Sequence, residues 1–184
     1  MNGMAKTWQV TTFTWFVLVS LQAVAGGGKQ SVSATMPKPC SAAEFHQLDF
    51  WVGDWDVFDV DNPTTQTARV RVESILDGCV LREDYQDTEG HKGQSFSIYD
   101  ASRRNWHQSW VTNRGQLLLL DGNLRGEDLV LNATERTPDG TDKMIRGTWK
   151  QVDSGVRETA VTSLDGGKTW KPWFDLMFRA HKTQ

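Results

Sequence analysis

From residue 50 onward, apolar and polar residues alternate with a period of two, which is typical of strands that bury one face. Ten short segments carry this pattern. Pairs of residues that favour tight turns, such as Asp77-Gly78 and Glu89-Gly90, separate most of them. We therefore predict ten strands, at residues 50–60, 68–76, 79–86, 94–100, 106–112, 116–121, 128–135, 143–151, 156–163 and 170–180.

A meander of ten strands must close on itself or split into two sheets, because open edges invite aggregation. The predicted fold class is all-β, a single antiparallel up-and-down barrel of about ten strands. Ser41 is followed three residues later by Glu44, which matches a helix capping box. We therefore predict a short N-terminal helix that ends near Leu48 and lies at one end of the barrel or beside it.

Alternation also predicts which side chains point into the barrel. On the first strand, Trp51, Gly53 and Trp55 share one face and Asp54 and Asp56 share the other, so the tryptophan face should point inward. Residues 117–120 are all leucine and therefore apolar on both faces. We expect the helix or a second copy of the chain to cover this strand from outside.

The N-terminal region has the features of an export signal. Lys6 precedes an apolar run at residues 10–21, and Ala23 to Ala25 matches a small-x-small cleavage site. We predict a signal peptide at 1–25, a flexible leader at 26–40 and the barrel domain at 41–184. The protein would then be secreted or periplasmic, with no stable membrane span after cleavage. The alternative is an uncleaved membrane anchor, but the run is shorter than the roughly 20 residues that a spanning helix needs.

The chain contains two cysteines, Cys40 and Cys79. An even number of cysteines in an exported protein favours a disulfide, which would tie the start of the domain to the third strand. The alternative is two buried free thiols. Neither cysteine lies in a CxxC motif or near a pair of histidines, so metal binding and catalysis are disfavoured.

The charge distribution argues against a nucleic-acid partner. The net charge is −3 and basic residues are scattered among acidic ones. The nine tryptophans suit the interior of a barrel, which large rings can fill.

Residues 163–170 match the Asp-box pattern S-x-D-x-G-x-T-W, which includes Asp165 and Trp170. The resemblance is to the hairpin turns of sialidase-like propellers, in which the Asp and Ser/Thr oxygens bond to turn amides. We interpret this single copy as the turn of the last hairpin and not as a sign of glycosidase activity.

Gly53, Trp55 and the late Arg179 resemble the signature of the calycin superfamily, which includes lipocalins and fatty-acid-binding proteins. The resemblance implies that Trp55 lies across the closed end of the barrel and that Arg179 stacks on it by a cation–π contact. The glycine would allow close approach of a neighbouring backbone.

The mature chain as a whole also resembles a family of secreted bacterial lipocalin-like barrels without an established activity. About 130 residues take part, and this chain has Tyr85 where that pattern has tryptophan. The matching positions are residues 50–57, Gly78, Cys79, Leu81, Glu83, Trp106, Gln108, Trp110, Val111, residues 163–170, Phe178 and Arg179.

Several polar residues on the middle strands are candidates for an inward-facing binding site. Buried polar groups need a partner or a ligand, and an arginine with a glutamine or serine could hold a ligand carboxylate. The alternatives are that these residues bond to one another, or that Glu83 and Arg146 face solvent. The candidate ligand-binding residues are Glu83, Ser95, Gln108, Trp110 and Arg146.

The four histidines do not indicate a cofactor or metal site. No two of them have helical or cross-strand spacing that suggests zinc. Nitrobindin-like barrels, which are calycin relatives, hold haem through one inward histidine late in the chain, but here His181 follows the last strand. We therefore predict no metal, no cofactor and no catalytic residue.

Three functions remain open from the sequence. The first is a barrel that binds a small apolar or amphipathic molecule. The second is a rigid interaction module with a filled core. The third is an enzyme, such as a cyclase or isomerase, that uses a buried carboxyl group like Glu83. The ligand and the oligomeric state cannot be derived from the sequence.

Overall fold

A computed structural model of the protein describes residues 38–182, and the predicted signal peptide with most of the leader lies outside them. Ten antiparallel strands form one closed barrel in which β1 pairs with both β2 and β10. The predicted all-β up-and-down barrel is therefore confirmed. The strands are β1 (Gly53–Asp59), β2 (Asn62–Ile75), β3 (Val80–Asp87), β4 (Lys92–Asp100), β5 (Asn105–Thr112), β6 (Leu117–Arg125), β7 (Asp128–Arg136), β8 (Asp142–Val152), β9 (Gly155–Ser163) and β10 (Lys171–Ala180).

A short helical segment lies where the sequence predicts one, as two 3₁₀ turns at Ala43–His46 and Asp49–Trp51, but the capping box does not form. The residue before the first turn is Ala42, and no side chain caps it. The second turn brings the Trp51 side chain into the barrel end, where it is buried. Because this turn extends to Trp51, β1 begins at Gly53 and not at residue 50.

A plug of large side chains fills the end of the barrel beside the two turns, which we call the closed end. Leu48, Trp51 and Trp106 are almost fully buried there. The Trp106 Nε1 donates a hydrogen bond to Gln47 Oε1 at 2.9 Å, and the Trp55 Nε1 donates to the Trp51 carbonyl at 3.0 Å. These bonds satisfy the indole donors of Trp106 and Trp55, whereas the indole N–H of Trp51 is buried without a partner among the described residues.

Gly53 is required by the ring that packs on it. A Cβ atom at position 53 would lie 2.7 Å from a ring carbon of Trp55. The glycine thus makes room for the indole of Trp55, and not for a neighbouring backbone.

The predicted stacking of Arg179 on Trp55 is wrong. Trp55 pairs with Ala180 across the β1–β10 seam, and the inward residue of this part of β10 is Phe178. Alternation therefore places Arg179 on the outer face, where its guanidinium lies 4.4 Å from the centre of the Phe58 ring. Its Nη1 donates to the Pro63 carbonyl at 2.9 Å.

The disulfide between Cys40 and Cys79 is confirmed. It links the segment before the first 3₁₀ turn to the turn between β2 and β3. Both of these segments lie at the closed end, so the bridge fastens the N-terminal plug to the barrel wall.

The Asp-box forms the turn between β9 and β10, as predicted. The Asp165 carboxylate accepts hydrogen bonds from the amides of Lys168 and Thr169 at 3.0 and 2.9 Å, and Trp170 Nε1 donates to the Gly167 carbonyl. Hydrogen bonds from Thr169 and Ser163 hold the pKa of Asp165 well below its usual range. Asp165 and Trp170 are therefore structural residues of a hairpin.

Leucines alternate between core and solvent on β6. Leu118 and Leu120 are buried, whereas Leu117 and Leu119 are more than half exposed. Neither 3₁₀ turn covers their outer face, contrary to one of the two expectations from the sequence. Within residues 38–182, no helix has the length and apolar character needed to cross a membrane.

Candidate functional site

The barrel encloses a cavity of about 550 Å³. The plug blocks it at the closed end. It opens at the other end, which we call the mouth, between the turns at residues 88–91 and 113–116 and the start of β10. This volume lies within the range of about 300–1,000 Å³ that is usual for small-molecule sites. Ten aromatic and aliphatic side chains belong to its wall: Tyr85, Trp110, Leu118, Leu120, Ile145, Trp149, Trp173, Phe174, Leu176 and Phe178.

Small residues create the space. Gly93 lies under the ring of Trp110, because a Cβ at position 93 would come within 2.3 Å of it. Gly147 gives room to Trp149 in the same way, at 2.8 Å. Ala160 adds a further small side chain to the wall. The indoles can therefore lie back against the wall and leave the centre open.

Trp110 and Tyr85 form one aromatic side of the cavity. Their ring centres are 5.8 Å apart in an edge-to-face arrangement. Burial, followed by the nearby acidic groups, raises the pKa of Tyr85 to about 12. The sequence-based placement of Trp110 in the cavity wall agrees with this geometry.

A chain of hydrogen bonds ends on Glu83. Gln108 Nε2 donates to both Ser95 Oγ and Ser97 Oγ at 3.2 Å, and Ser95 Oγ donates to Glu83 Oε2 at 2.8 Å. All four side chains are buried. Three of the predicted site residues, Glu83, Ser95 and Gln108, are thus brought together inside the barrel, and they bond to one another as one of the alternatives expected.

Glu83 is an acidic group in an apolar wall. Its side chain is 6 % exposed, and no basic side chain of the described residues pairs with it. Desolvation raises its pKa to about 7, although the Ser95 hydrogen bond opposes the shift. Among residues 38–182, no donor bonds to its second oxygen, Oε1, which leaves that oxygen available to a ligand.

A second interior carboxyl group, Glu158 on β9, was missed by the sequence analysis. Glu158 lines the cavity between Val156 and Ala160 on the same face of its strand. Desolvation, followed by repulsion from Glu83, raises its pKa well above the usual value. The signal was present in the alternation, because its two buried neighbours on that face are apolar.

Trp149 is the cross-strand neighbour of Glu158. Its indole N–H is close enough to favour the ionised carboxylate, but it does not reach hydrogen-bond geometry. Within the described residues, Trp149 Nε1 is one of the few buried polar atoms without a partner. The carboxyl group thus retains hydrogen-bonding capacity toward the cavity, while the indole N–H is buried without a partner.

The prediction that Arg146 lines the cavity is wrong. Ile145, Gly147 and Trp149 are the inward residues of β8, so alternation directs Arg146 outward. Its guanidinium stacks 4.2 Å from the centre of the Trp170 ring, and its Nε donates to Asn132 Oδ1 at 3.1 Å. The idea that Arg146 holds a ligand carboxylate therefore has no basis.

Charged residues of both signs line the mouth. Asp59, Asp87 and Glu89 lie there together with His91, Lys92 and Arg114. The amides of Glu89 and His91 both bond to Asp87 Oδ1 at 2.8 Å, and the His91 ring contacts Asp87 Oδ2. Burial alone would raise the pKa of Asp87, but the hydrogen bonds from His91 and Glu89 together outweigh it and lower the pKa. Asp87 and His91 therefore stabilise the turn between β3 and β4.

A wider groove of about 680 Å³ runs over the outer surface of β1 to β5. It is open to solvent, and four of its charged side chains, Asp54, Arg69, Arg71 and Asp84, form ion pairs. Arg69 bonds to Asp54 at 2.6 Å and to Asp56 at 3.1 Å. The groove lacks the enclosure and the unpartnered polar atoms of the interior cavity, so the interior is the better candidate site.

No protein-family model matches the chain, and no curated protein matches it. The resemblance to calycins therefore stays a prediction.

Proposed function

We propose that the protein binds a small apolar or amphipathic molecule inside the barrel. The observation that carries this proposal is the 550 Å³ cavity, which is blocked at one end and walled by tryptophan and phenylalanine side chains. Apolar cavities with a few polar groups are the usual form of small-molecule sites. Each Å² of apolar surface that binding removes from water would contribute roughly 25 cal/mol to the binding free energy.

Tryptophan fluorescence measures this binding directly, because Trp110 and Trp149 face the cavity. We expect fatty acids, isoprenoids or apolar amines to shift or quench the emission at saturable concentrations. Ala160→Phe should fill the cavity and abolish the response. Thr159→Phe, which adds the same ring on the outward face of β9, is the matched control and should leave binding unchanged. Equal titrations for both variants would place binding outside the barrel.

We further propose that the protein is exported. The disulfide is compatible with an oxidising compartment, and the predicted signal peptide accounts for export. Mass spectrometry of the protein from the native host should give an N-terminus at Gly26. A chain that retains residues 1–25 would contradict cleavage.

The rigid-module alternative receives less support, since the cavity is larger than the roughly 300 Å³ below which a ligand would not fit. One observation favours an enzyme as a second candidate. Glu83 and Glu158 are two cavity carboxyl groups with raised pKa values, a property of general acid–base catalysts. An enzyme would consume its ligand, so recovery of the bound molecule unchanged after long incubation would argue against catalysis.

A further inference from the structure

We propose that the ligand is an amine, that is, an apolar molecule whose protonated nitrogen binds the Glu83 and Glu158 carboxyl groups inside the barrel. This inference rests on the proposed function, because it names the chemical class that the same cavity would take.

The first argument is the imbalance of charge in the cavity. Glu83 and Glu158 both line it, and each faces the other's charge. Among residues 38–182, the lysine and arginine side chains in its wall are Lys92 and Arg114, and both belong to the mouth. A buried carboxylate without a counter-ion is costly. An incoming cation would supply the missing charge, whereas an anion would add a third negative group.

The second argument is the unused hydrogen-bonding capacity. Glu83 Oε1 and both oxygens of Glu158 accept no hydrogen bond from residues 38–182, while Ser95 already fills Glu83 Oε2. An ammonium group has three donors and no acceptor. It therefore matches three open acceptors, which neither an ether nor a hydrocarbon could do.

The third argument comes from the walls of the cavity. Trp110 and Trp149 present indole rings to the cavity, and tryptophan is the best cation–π partner. At the mouth, Lys92 and Arg114 offset part of the negative charge of Asp59, Asp87 and Glu89, so the preference for a cation arises in the interior of the cavity.

Binding of a protonated amine should release a proton from the two carboxyl groups. Desolvation of both carboxyl groups, with the repulsion that Glu83 exerts on Glu158, raises both pKa values, so the pair still holds a proton near neutrality. An ammonium ion that binds would displace this proton to solvent and leave two carboxylates beside one cation. Amine affinity should therefore rise between pH 5 and pH 8, over which a primary amine stays protonated.

The test uses two apolar bodies, 4-phenylbutyl and decyl, each with an amine, alcohol or carboxylate head. Binding to the full-length exported protein is followed by tryptophan fluorescence at pH 7.5. The amine should bind about tenfold to a hundredfold more tightly than the matched alcohol, the ratio expected for charge-assisted hydrogen bonds.

Glu83→Gln and Glu158→Gln should each reduce this preference about tenfold or more, and leave alcohol binding unchanged. Glu127→Gln, an exposed substitution in the β6–β7 turn, is the control with the same charge change.

A second measurement needs no variant. Calorimetry of amine binding to the wild-type protein in two buffers of different ionisation enthalpy should show proton release, and alcohol binding should show none. Equal affinity for amine and alcohol, tighter binding of the carboxylate, or amine binding without proton release would overturn this inference and leave ligand binding intact. If none of the six probes binds, the proposed function fails as well.

Discussion

Glu83 should destabilise the folded protein above neutral pH, and its replacement by glutamine should remove this effect. The folded-state pKa is about 7, against an ordinary value of 4.5. Below pH 4.5 the group is protonated in both states and the free energy of unfolding is unaffected. Between pH 4.5 and 7 the unfolded chain loses its proton first, so stability falls, and above pH 7 the loss is complete.

The magnitude follows from this difference in pKa. A tenfold difference in proton affinity equals about 1.4 kcal/mol, so the shift corresponds to an upper value of about 3 kcal/mol. Water in the cavity would screen part of it, and roughly 1–3 kcal/mol is the expected range. Glu83→Gln keeps the shape of the side chain and an acceptor for Ser95. It also removes the repulsion that Glu83 exerts on Glu158.

Urea unfolding at half-unit steps from pH 4.5 to pH 8.5, with the disulfide intact, measures the effect. The variant should match the wild type near pH 4.5 and exceed it by roughly 1–3 kcal/mol at pH 8. Glu127→Gln should follow the wild-type curve throughout. Parallel curves for Glu83→Gln and the wild type would show that Glu83 reaches solvent, and the argument from desolvation would be wrong.

Two further predictions concern the closed end. Gly53→Ala should cost about 1–3 kcal/mol in urea unfolding, because the new methyl group overlaps the Trp55 ring; adding Trp55→Phe should recover part of this loss, and additive losses would contradict the overlap. The double variant Cys40→Ser, Cys79→Ser opens a loop with a sequence separation of 39 and should lose about 4 kcal/mol. A loss below about 1 kcal/mol would show that the 3₁₀ turns fasten the plug without the bridge.

Alternation and turn signals were sufficient to predict the barrel. Each hairpin is a local structure, and the alternation along its strands indicates which side chains face the core. The closure between β1 and β10 also followed, since ten strands with two free edges would be unstable. The disulfide followed from an even cysteine count. The place of the short helical segment followed as well, but its form did not. Ser41 and Glu44 match a capping box, yet Ala42 precedes the first of the two 3₁₀ turns and no side chain caps it.

The side on which a single charged residue lies was harder to predict for strands whose two faces both carry apolar and polar residues. On β8, Met144 and Arg146 lie on the outer face, while the inner face contains a glycine at 147. Neither face is clearly apolar in the sequence, so the sequence left open whether Arg146 points inward or outward. On β9, Val161 lies opposite the Glu158 face and obscured the pattern in the same way. Only the three-dimensional pairing assigns such residues to a side.

The open space and the two carboxyl groups lie in the same part of the barrel interior. This coincidence is the strongest reason to assign the cavity a function. Gly93 and Gly147 let the rings of Trp110 and Trp149 lie against the wall, and Ala160 adds a small side chain, so the centre stays unfilled, and unfilled volume lowers stability. Glu83 and Glu158 lie in that part of the interior, where apolar side chains would avoid the cost of desolvation. Two separate departures from good packing thus meet in one place. Proteins keep such departures mainly at functional sites, and a bound cation with an apolar body would offset both of them together.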